Sequence, residues 1–221
     1  MKKHQCLMAI IATFAMFQDS VFAQSYYPLE IGKSWTYTVT DYATSDTNRT
    51  NLAAMESGQH NREQWGVVDI RYTVKMDSVV NGKIYQVITN SKNPFEFDLI
   101  RQEAGNYFRL NRVTFKDENF LKIGLEVDNM WLDYENEEQT VATLYIISSV
   151  DKEKIIKGKT YKNVIGIGQI TAPVTSIVAL LQEDETFMPT KYYADGIGMI
   201  YSYIPYPLSG TYSDVEMVVK E

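Results

Sequence analysis

Between Trp65 and Val80 the chain alternates almost strictly. Val68, Ile70, Tyr72, Val74 and Met76 interleave with Asp69, Arg71, Thr73, Lys75 and Asp77. A period of two means a β-strand with one apolar face and one wet face. The run ends at Asn81-Gly82 and resumes at Lys83-Ile84-Tyr85. Asn-Gly between two apolar runs predicts a tight hairpin, because both turn residues must take positive φ. Trp35, Tyr37 and Val39 alternate in the same way with Ser34, Thr36 and Thr38, and Phe95, Phe97 and Leu99 with Glu96 and Asp98. Further strands are expected over 85–89, 107–115, 120–127, 140–150, 161–170, 190–194, 197–204 and 212–219, with connections rich in Gly, Asn, Asp and Lys. So many short strands with tight turns predict an all-β domain: a single antiparallel, strongly curved sheet, either half-barrel or barrel. Sixteen tyrosines fit this fold, since Tyr favours strands and buries its ring while keeping its hydroxyl wet.

Two stretches break the pattern. After Pro173, Val174, Ile177, Val178 and Leu181 fall at helical spacing, which predicts one short helix near 174–183 set beside the open face of the sheet. The stretch 41–64 is rich in Thr, Ser, Asn, Asp and Gln and reads as a polar loop. "VVNGKIYQVI" (79–88) and "IIKGKTYKNVI" (155–165) echo each other. Hairpin chemistry accounts for that echo, with Gly supplying positive φ and Lys standing in solvent.

The first residues follow a different logic. Lys2, Lys3 and His4 precede an apolar run from Cys6 to Phe17, and Val21-Phe22-Ala23 ends the segment with small residues at its first and third places. This order is that of a secretory signal at 1–23, cleaved after Ala23. The remaining 24–221 would form one β domain, periplasmic or extracellular, with no cysteine, since Cys6 leaves with the signal. Losing Lys2, Lys3 and Asp19 takes the formal charge from −7 to −8. An acidic chain without a basic run is a poor partner for nucleic acid, and no later stretch is long and apolar enough for a transmembrane helix. Charges on the wet strand faces, as at Asp69, Arg71, Lys75 and Asp77, argue against an outer-membrane barrel.

Little catalytic chemistry is on offer. His60, in the polar loop, is the one histidine after the signal, so sites needing two His ligands and cysteine nucleophiles are excluded. No G-x-S-x-G elbow, Walker loop or GxGxxG appears. Asp133, Glu135, Glu137 and Glu138 crowd one turn and Glu183, Asp184 and Glu185 another, but neither has calcium-loop spacing. We therefore expect no catalytic residue, metal or cofactor. The candidate ligand-stacking residues are the aromatics Trp35, Trp65, Trp131 and Tyr193, with Tyr26, Tyr27 and Tyr192 beside them. In "YYADGIGMIYSY" (192–203), Gly196 is expected in a hairpin turn, and Gly198 marks a place where a large group packs on bare backbone, with Trp35 as the expected group.

"YYPLEIGKSWTYTV" (26–39) and that late glycine stretch together resemble a broad group of exported Bacteroidota-type proteins. Those carry a P-L-x-x-G-x-x-W-x-Y start, matched here by Pro28, Leu29, Gly32, Trp35 and Tyr37. Their Y-x-A-x-G-x-G finish is matched by Tyr192 or Tyr193 with Ala194, Gly196 and Gly198. The resemblance implies a curved antiparallel sheet, similar to lipoprotein-carrier half-barrels or lipocalin-like barrels, and no catalytic residue. The expected function is binding an apolar or amphipathic small molecule in the concave face. The alternative is a structural or interaction module that meets envelope proteins or glycans through exposed aromatics. N-terminal sequencing of the exported protein is expected to begin at Gln24; a product that still starts at Met1 overturns the signal assignment.

Overall fold

The computed structural model describes residues 25–43, 57, 64–112, 114–182, 190–204 and 213–220. The proposed signal at 1–23 lies outside the described residues, as does His60. The strands are β1 (Ser34–Ala43), β2 (Gln64–Val80), β3 (Lys83–Asn90), β4 (Phe97–Glu103), β5 (Asn106–Leu110), β6 (Asp117–Lys122), β7 (Met130–Tyr134), β8 (Val141–Ile156), β9 (Lys159–Pro173), β10 (Lys191–Ala194), β11 (Gly198–Ile204) and β12 (Ser213–Lys220). Among the described residues a helix, α1 (Val174–Gln182), lies between β9 and β10. The ends of the expected 41–64 loop are strand, since β1 runs on to Ala43 and β2 begins at Gln64, and 44–56 and 58–63 lie outside the described residues.

All twelve strands form one antiparallel sheet in the order β6-β5-β4-β3-β2-β1-β12-β11-β10-β9-β8-β7. Every strand pairs with its neighbours in sequence, with a single rearrangement. The first strand pairs with the last, Tyr37 opposite Val219 and Val39 opposite Met217, and the sheet is left open between β6 and β7. The result is an up-and-down barrel that is nearly closed. The expected curved antiparallel sheet with one helix is what forms.

Alternation along each strand sorts side chains between inside and outside. On β8, Tyr145 and Ile147 join a core that also holds Trp35, Tyr37, Ile88, Ile100, Tyr107 and Phe120, from strands all around the ring. That face is the interior. Ala142, Leu144 and Ile146 point the other way and pack with Ile177 of α1. The helix therefore sits on the convex outside rather than over the open face expected from the sequence. Ile177, with Val174 in part, finds partners there because the outer face of β8 is itself aliphatic, while Val178 and Leu181 stay exposed.

The two ends of the barrel differ. The connections leaving β2, β4 and β8 are two-residue turns, Asn81-Gly82, Ala104-Gly105 and Lys157-Gly158. Both residues of each have positive φ, from 48° to 78°. This is the turn geometry whose twist matches the strands it joins. The echo between 79–88 and 155–165 is thus two hairpins of one kind. The opposite end carries longer connections, including 91–96 and 111–116.

A strap crosses the tight-turn end. Ser25 N–H donates to Asp195 Oδ1 (2.9 Å) and Gly196 N–H donates to Ser25 O (2.8 Å). Gly32 N–H donates to Val74 O (2.8 Å) on β2. Between these ties Tyr26 is buried, and the Tyr27 ring meets Trp35 edge-on at 5.6 Å and Phe120 at 5.8 Å. The early and late motifs read from the sequence are therefore in contact. Gly198 has φ of 103°, and a Cβ there would stand 2.9 Å from Pro28 Cδ. The group packed on Gly198 is Pro28 of the strap, not Trp35; the indole is engaged with Tyr27 and Tyr72 instead. Gly198→Val meets both the clash and the backbone strain, so we expect a loss of more than about 1 kcal/mol in thermal or denaturant unfolding. An unchanged melting temperature would contradict the strap contact.

Candidate functional site

The barrel interior gathers side chains that the sequence scatters. Tyr72 comes from β2, Arg109 from β5, Tyr145 from β8, Lys191 and Tyr193 from β10, and Tyr27 from the strap. The charge of Arg109 is felt by Tyr27, Tyr72, Tyr145, Tyr193 and Lys191 alike. Burial pushes the tyrosine hydroxyls upward, to about 12 at Tyr193 and higher at Tyr27 and Tyr145. They remain neutral hydrogen-bond donors at any ordinary pH.

Two cations stand among these rings. Lys191, opposite Ile167 of β9, donates from Nζ to Gln169 Oε1 at 2.7 Å. Burial and then repulsion from Arg109 pull its pKa down to about 8. The Arg109 guanidinium lies 5.2 Å from the Phe120 ring and 3.7 Å from Asp98. Burial works most strongly against its charge, but Asp98, Tyr27, Tyr193 and Glu118 together outweigh this and hold its pKa above the usual value. Its side chain keeps 40% of its surface accessible, although it projects inward from the wall. Open space therefore remains beside it.

A further opening lies at the long-loop end. A cavity of about 490 Å³ is lined by Ile70, Tyr72, Asn90, Lys92, Asn93 and Glu96, so the inner wall of β2 and the β3–β4 connection form its sides. Below it the strap and the rings around Tyr27 fill the barrel.

The open seam is sealed by side chains. Asn119 N–H on β6 donates to Asp133 Oδ2 on β7 (2.6 Å), and Trp131 Nε1–H donates back to Asn119 O (2.6 Å). Trp131 also stacks on Tyr145 at 5.2 Å and 9°. Two edge strands thus exchange two bonds without a ladder. A second cavity of about 230 Å³ lies along this seam beside Asn111, Glu118, Asp133 and Asn136. Burial first, then the neighbouring Glu135, raises the carboxyl pKa of Asp133; burial likewise raises that of Glu118. Glu135 accepts a hydrogen bond from the Thr143 hydroxyl. Among the described residues no group of three or more acidic, His or Cys side chains is arranged to hold a metal ion.

Of the residues singled out by sequence, Trp35, Trp131 and Tyr193 are all buried in the interior core. Trp65 belongs to β2, and its side chain lies outside what the structure describes. Asn81, Gly82 and Gly196 sit in turns with positive φ, and Gly32 has the same sign. Sequence reasoning missed Arg109 and Lys191 as site residues. Their signal was a lone cation inside an apolar strand, in "NYFRL" and "KYYA".

The fold and its interior define an up-and-down antiparallel barrel, open along one seam and lined with aromatic side chains. No protein-family profile matches the sequence. No curated protein matches it either. Among solved structures, a Bacteroides fragilis protein described as exported, with a YmcC-like fold, aligns with 90% of this chain and 100% of its own at a TM-score of 0.41 and 9% identity. A Parabacteroides distasonis protein described as a lipoprotein aligns with 90% of this chain and 98% of its own at a TM-score of 0.37 and 11% identity. At these scores neither likeness carries an argument about this chain.

On the outer wall, Asp117 anchors a separate network. It accepts from Arg101 (2.7 Å), Lys83 (2.6 Å) and the Tyr85 hydroxyl (2.6 Å). Burial alone would raise its pKa, but these donors outweigh it and hold the carboxyl at about 2. A depressed carboxylate stabilises the fold above its unfolded pKa near 4 and loses that contribution as pH falls toward 2. Asp117→Asn should therefore cost roughly 1–2 kcal/mol at pH 7, after screening, and flatten the acid limb of a stability-versus-pH curve between about pH 4 and 2. An acid limb identical to the parent protein would refute the network's role.

Proposed function

We propose that this is an exported, non-enzymatic binding protein whose barrel takes up an apolar or amphipathic small molecule from the long-loop end. The carrying observation is the 490 Å³ cavity that opens over Tyr72 toward the aromatic interior. Its volume falls within the about 300–1,000 Å³ common for small-molecule pockets, and its lining sets Ile70 and Tyr72 against Asn90, Lys92, Asn93 and Glu96. Extracytoplasmic placement rests on the signal-like segment at 1–23. Tight turns and the strap obstruct the other end, so a single mouth serves for entry and release.

The rival reading, a module that meets partners through exposed aromatics, loses Trp131, which is buried and committed to the seam. It keeps Phe95, 89% exposed, and Phe115, 61% exposed, both in connections at the long-loop end. Native mass spectrometry of the protein recovered without detergent separates the two. The expected result is an added mass that organic solvent removes. A bare polypeptide that takes up no added lipid-like compound would favour the module, and pull-downs with Phe95→Ser and Phe115→Ser variants would then follow.

A further inference from the structure

We propose that the seam between β6 and β7 is a pH-sensitive joint: ionised carboxylates on its two sides push the edges apart near neutral pH, and protonation draws them together. Every other junction in the barrel is a ladder, whereas no pairing joins β6 to β7. Side chains span the gap instead, Asn119 N–H donating to Asp133 Oδ2 and Trp131 Nε1–H to Asn119 O, each at 2.6 Å. One end of the gap is fixed. The 123–129 connection that crosses it is tied down by Ile123 N–H to Gly105 O, Asp128 N–H to Ile147 O and Ile147 N–H to Asn129 O, each at 2.9 Å. The other end, where β6 starts and β7 stops, opens on the seam cavity and belongs to the long-loop end. The joint therefore hinges at 123–129, and its swing sets the width of the mouth.

The charge lies at the free end. The cavity of about 230 Å³ is lined there by Asp117 and Glu118 of β6, by Asp133 of β7 and by Glu137 just beyond it. Among the described lining residues Lys116 is the one cation. Carboxylates thus face one another across the junction that no ladder holds, and like charges at such range repel. Asp117 is paired with Arg101 at 2.7 Å and Lys83 at 2.6 Å, which keep it ionised. Asp133 and Glu118 have weaker company. Beside Asp133 stand Glu135 on its own strand, Asp117 on β6 and the neutral Tyr145 on β8, while Lys122 of β6 is engaged over the Trp131 ring at 5.2 Å. Glu118 accepts from Asn111 Nδ2 at 2.7 Å and feels Arg109 of β5, but burial, Glu135 and Asp133 oppose them. The carboxyl pKa values of Asp133 and Glu118 are both raised, by burial first and by these neighbouring acids next. A carboxyl whose pKa is raised in the closed seam binds its proton more tightly there than in the open one. Closing is therefore favoured as pH falls from neutral toward the ordinary carboxylate range near 4, and that advantage is lost as pH rises.

The test is hydrogen exchange followed by NMR on the mature protein at about pH 4.5 and about pH 8, on either side of that window. Protection factors of the Asn119 amide and the Trp131 indole N–H report the seam, and amides of Tyr37 and Ile70 in the β1–β2 ladder report the rest of the barrel. Relative to that ladder, seam protection should be about threefold or more higher at the lower pH. Asp133→Asn keeps an acceptor for the Asn119 amide and stands in for the protonated acid, so its seam should stay protected at both pH values. Asp133→Ala removes the acceptor and should lower seam protection at both, which separates the charge of Asp133 from its packing. Equal seam protection in the parent at the two pH values, or higher protection at the upper one, would overturn the joint. So would a pH dependence that survives in an Asp133→Asn, Glu118→Gln double variant. The parent comparison needs no substitution, so it decides even where a variant fails to fold.

Discussion

A sheet of twelve strands curled on itself encloses more width than aliphatic side chains can fill. Eight strands give an interior that ordinary side chains close, and the diameter grows with strand number. This chain meets the excess with rings. Tyr37, Tyr72, Tyr107, Tyr145 and Tyr193 project from the wall, Trp35 and Trp131 widen their reach, and the strap inserts Tyr27 among them. Rings with hydroxyls can fill space and still satisfy polar neighbours, which explains how Arg109 and Lys191 are tolerated within the same volume. Where the rings stop, toward the long-loop end, the cavity begins.

The same width governs how the barrel closes. Full pairing of β6 with β7 would complete the ring and abolish its edges. The two strands are instead among the shortest and are held by Asp133, Trp131 and Asn119. An exposed edge invites pairing with another chain, and side chains that occupy its donors and acceptors discourage this. On the outside, Glu216 of β12 accepts from the Tyr42 hydroxyl and pairs with Lys157 of the β8–β9 turn, each at 2.9 Å. The long β8–β9 hairpin is thereby pinned back on the barrel wall.

Much of this fold was legible because its signals are local. Alternation gave the strands, Asn81-Gly82 its turn, and the spacing from Val174 to Leu181 the helix. β7 escaped notice because Met130, Leu132 and Tyr134 face outward and half-exposed, so five residues show no contrast between a dry and a wet face. The partner of Gly198 was misassigned for a related reason. Bare backbone announces that something approaches but carries no information about what, and Pro28 is brought there by ties at Ser25 and Gly32. Arg109 and Lys191 were passed over because a cation in a strand normally faces solvent. Only the closed ring makes their side an interior. Closure itself has no local signal, since nothing in β1 or β12 names the other as its neighbour.

That closure has a consequence for how the molecule is made. Tyr42 and Glu216 bond across a sequence separation of 174, and the ladder of β1 with β12 joins two six-stranded halves. Each half is a succession of hairpins that can form early, whereas the join must await the last strand. Such distant pairing slows folding and leaves unpaired edges available to other chains in the meantime. A polypeptide built this way stays incomplete until β12 is free, and any chaperone that shields it must cover β1 until then.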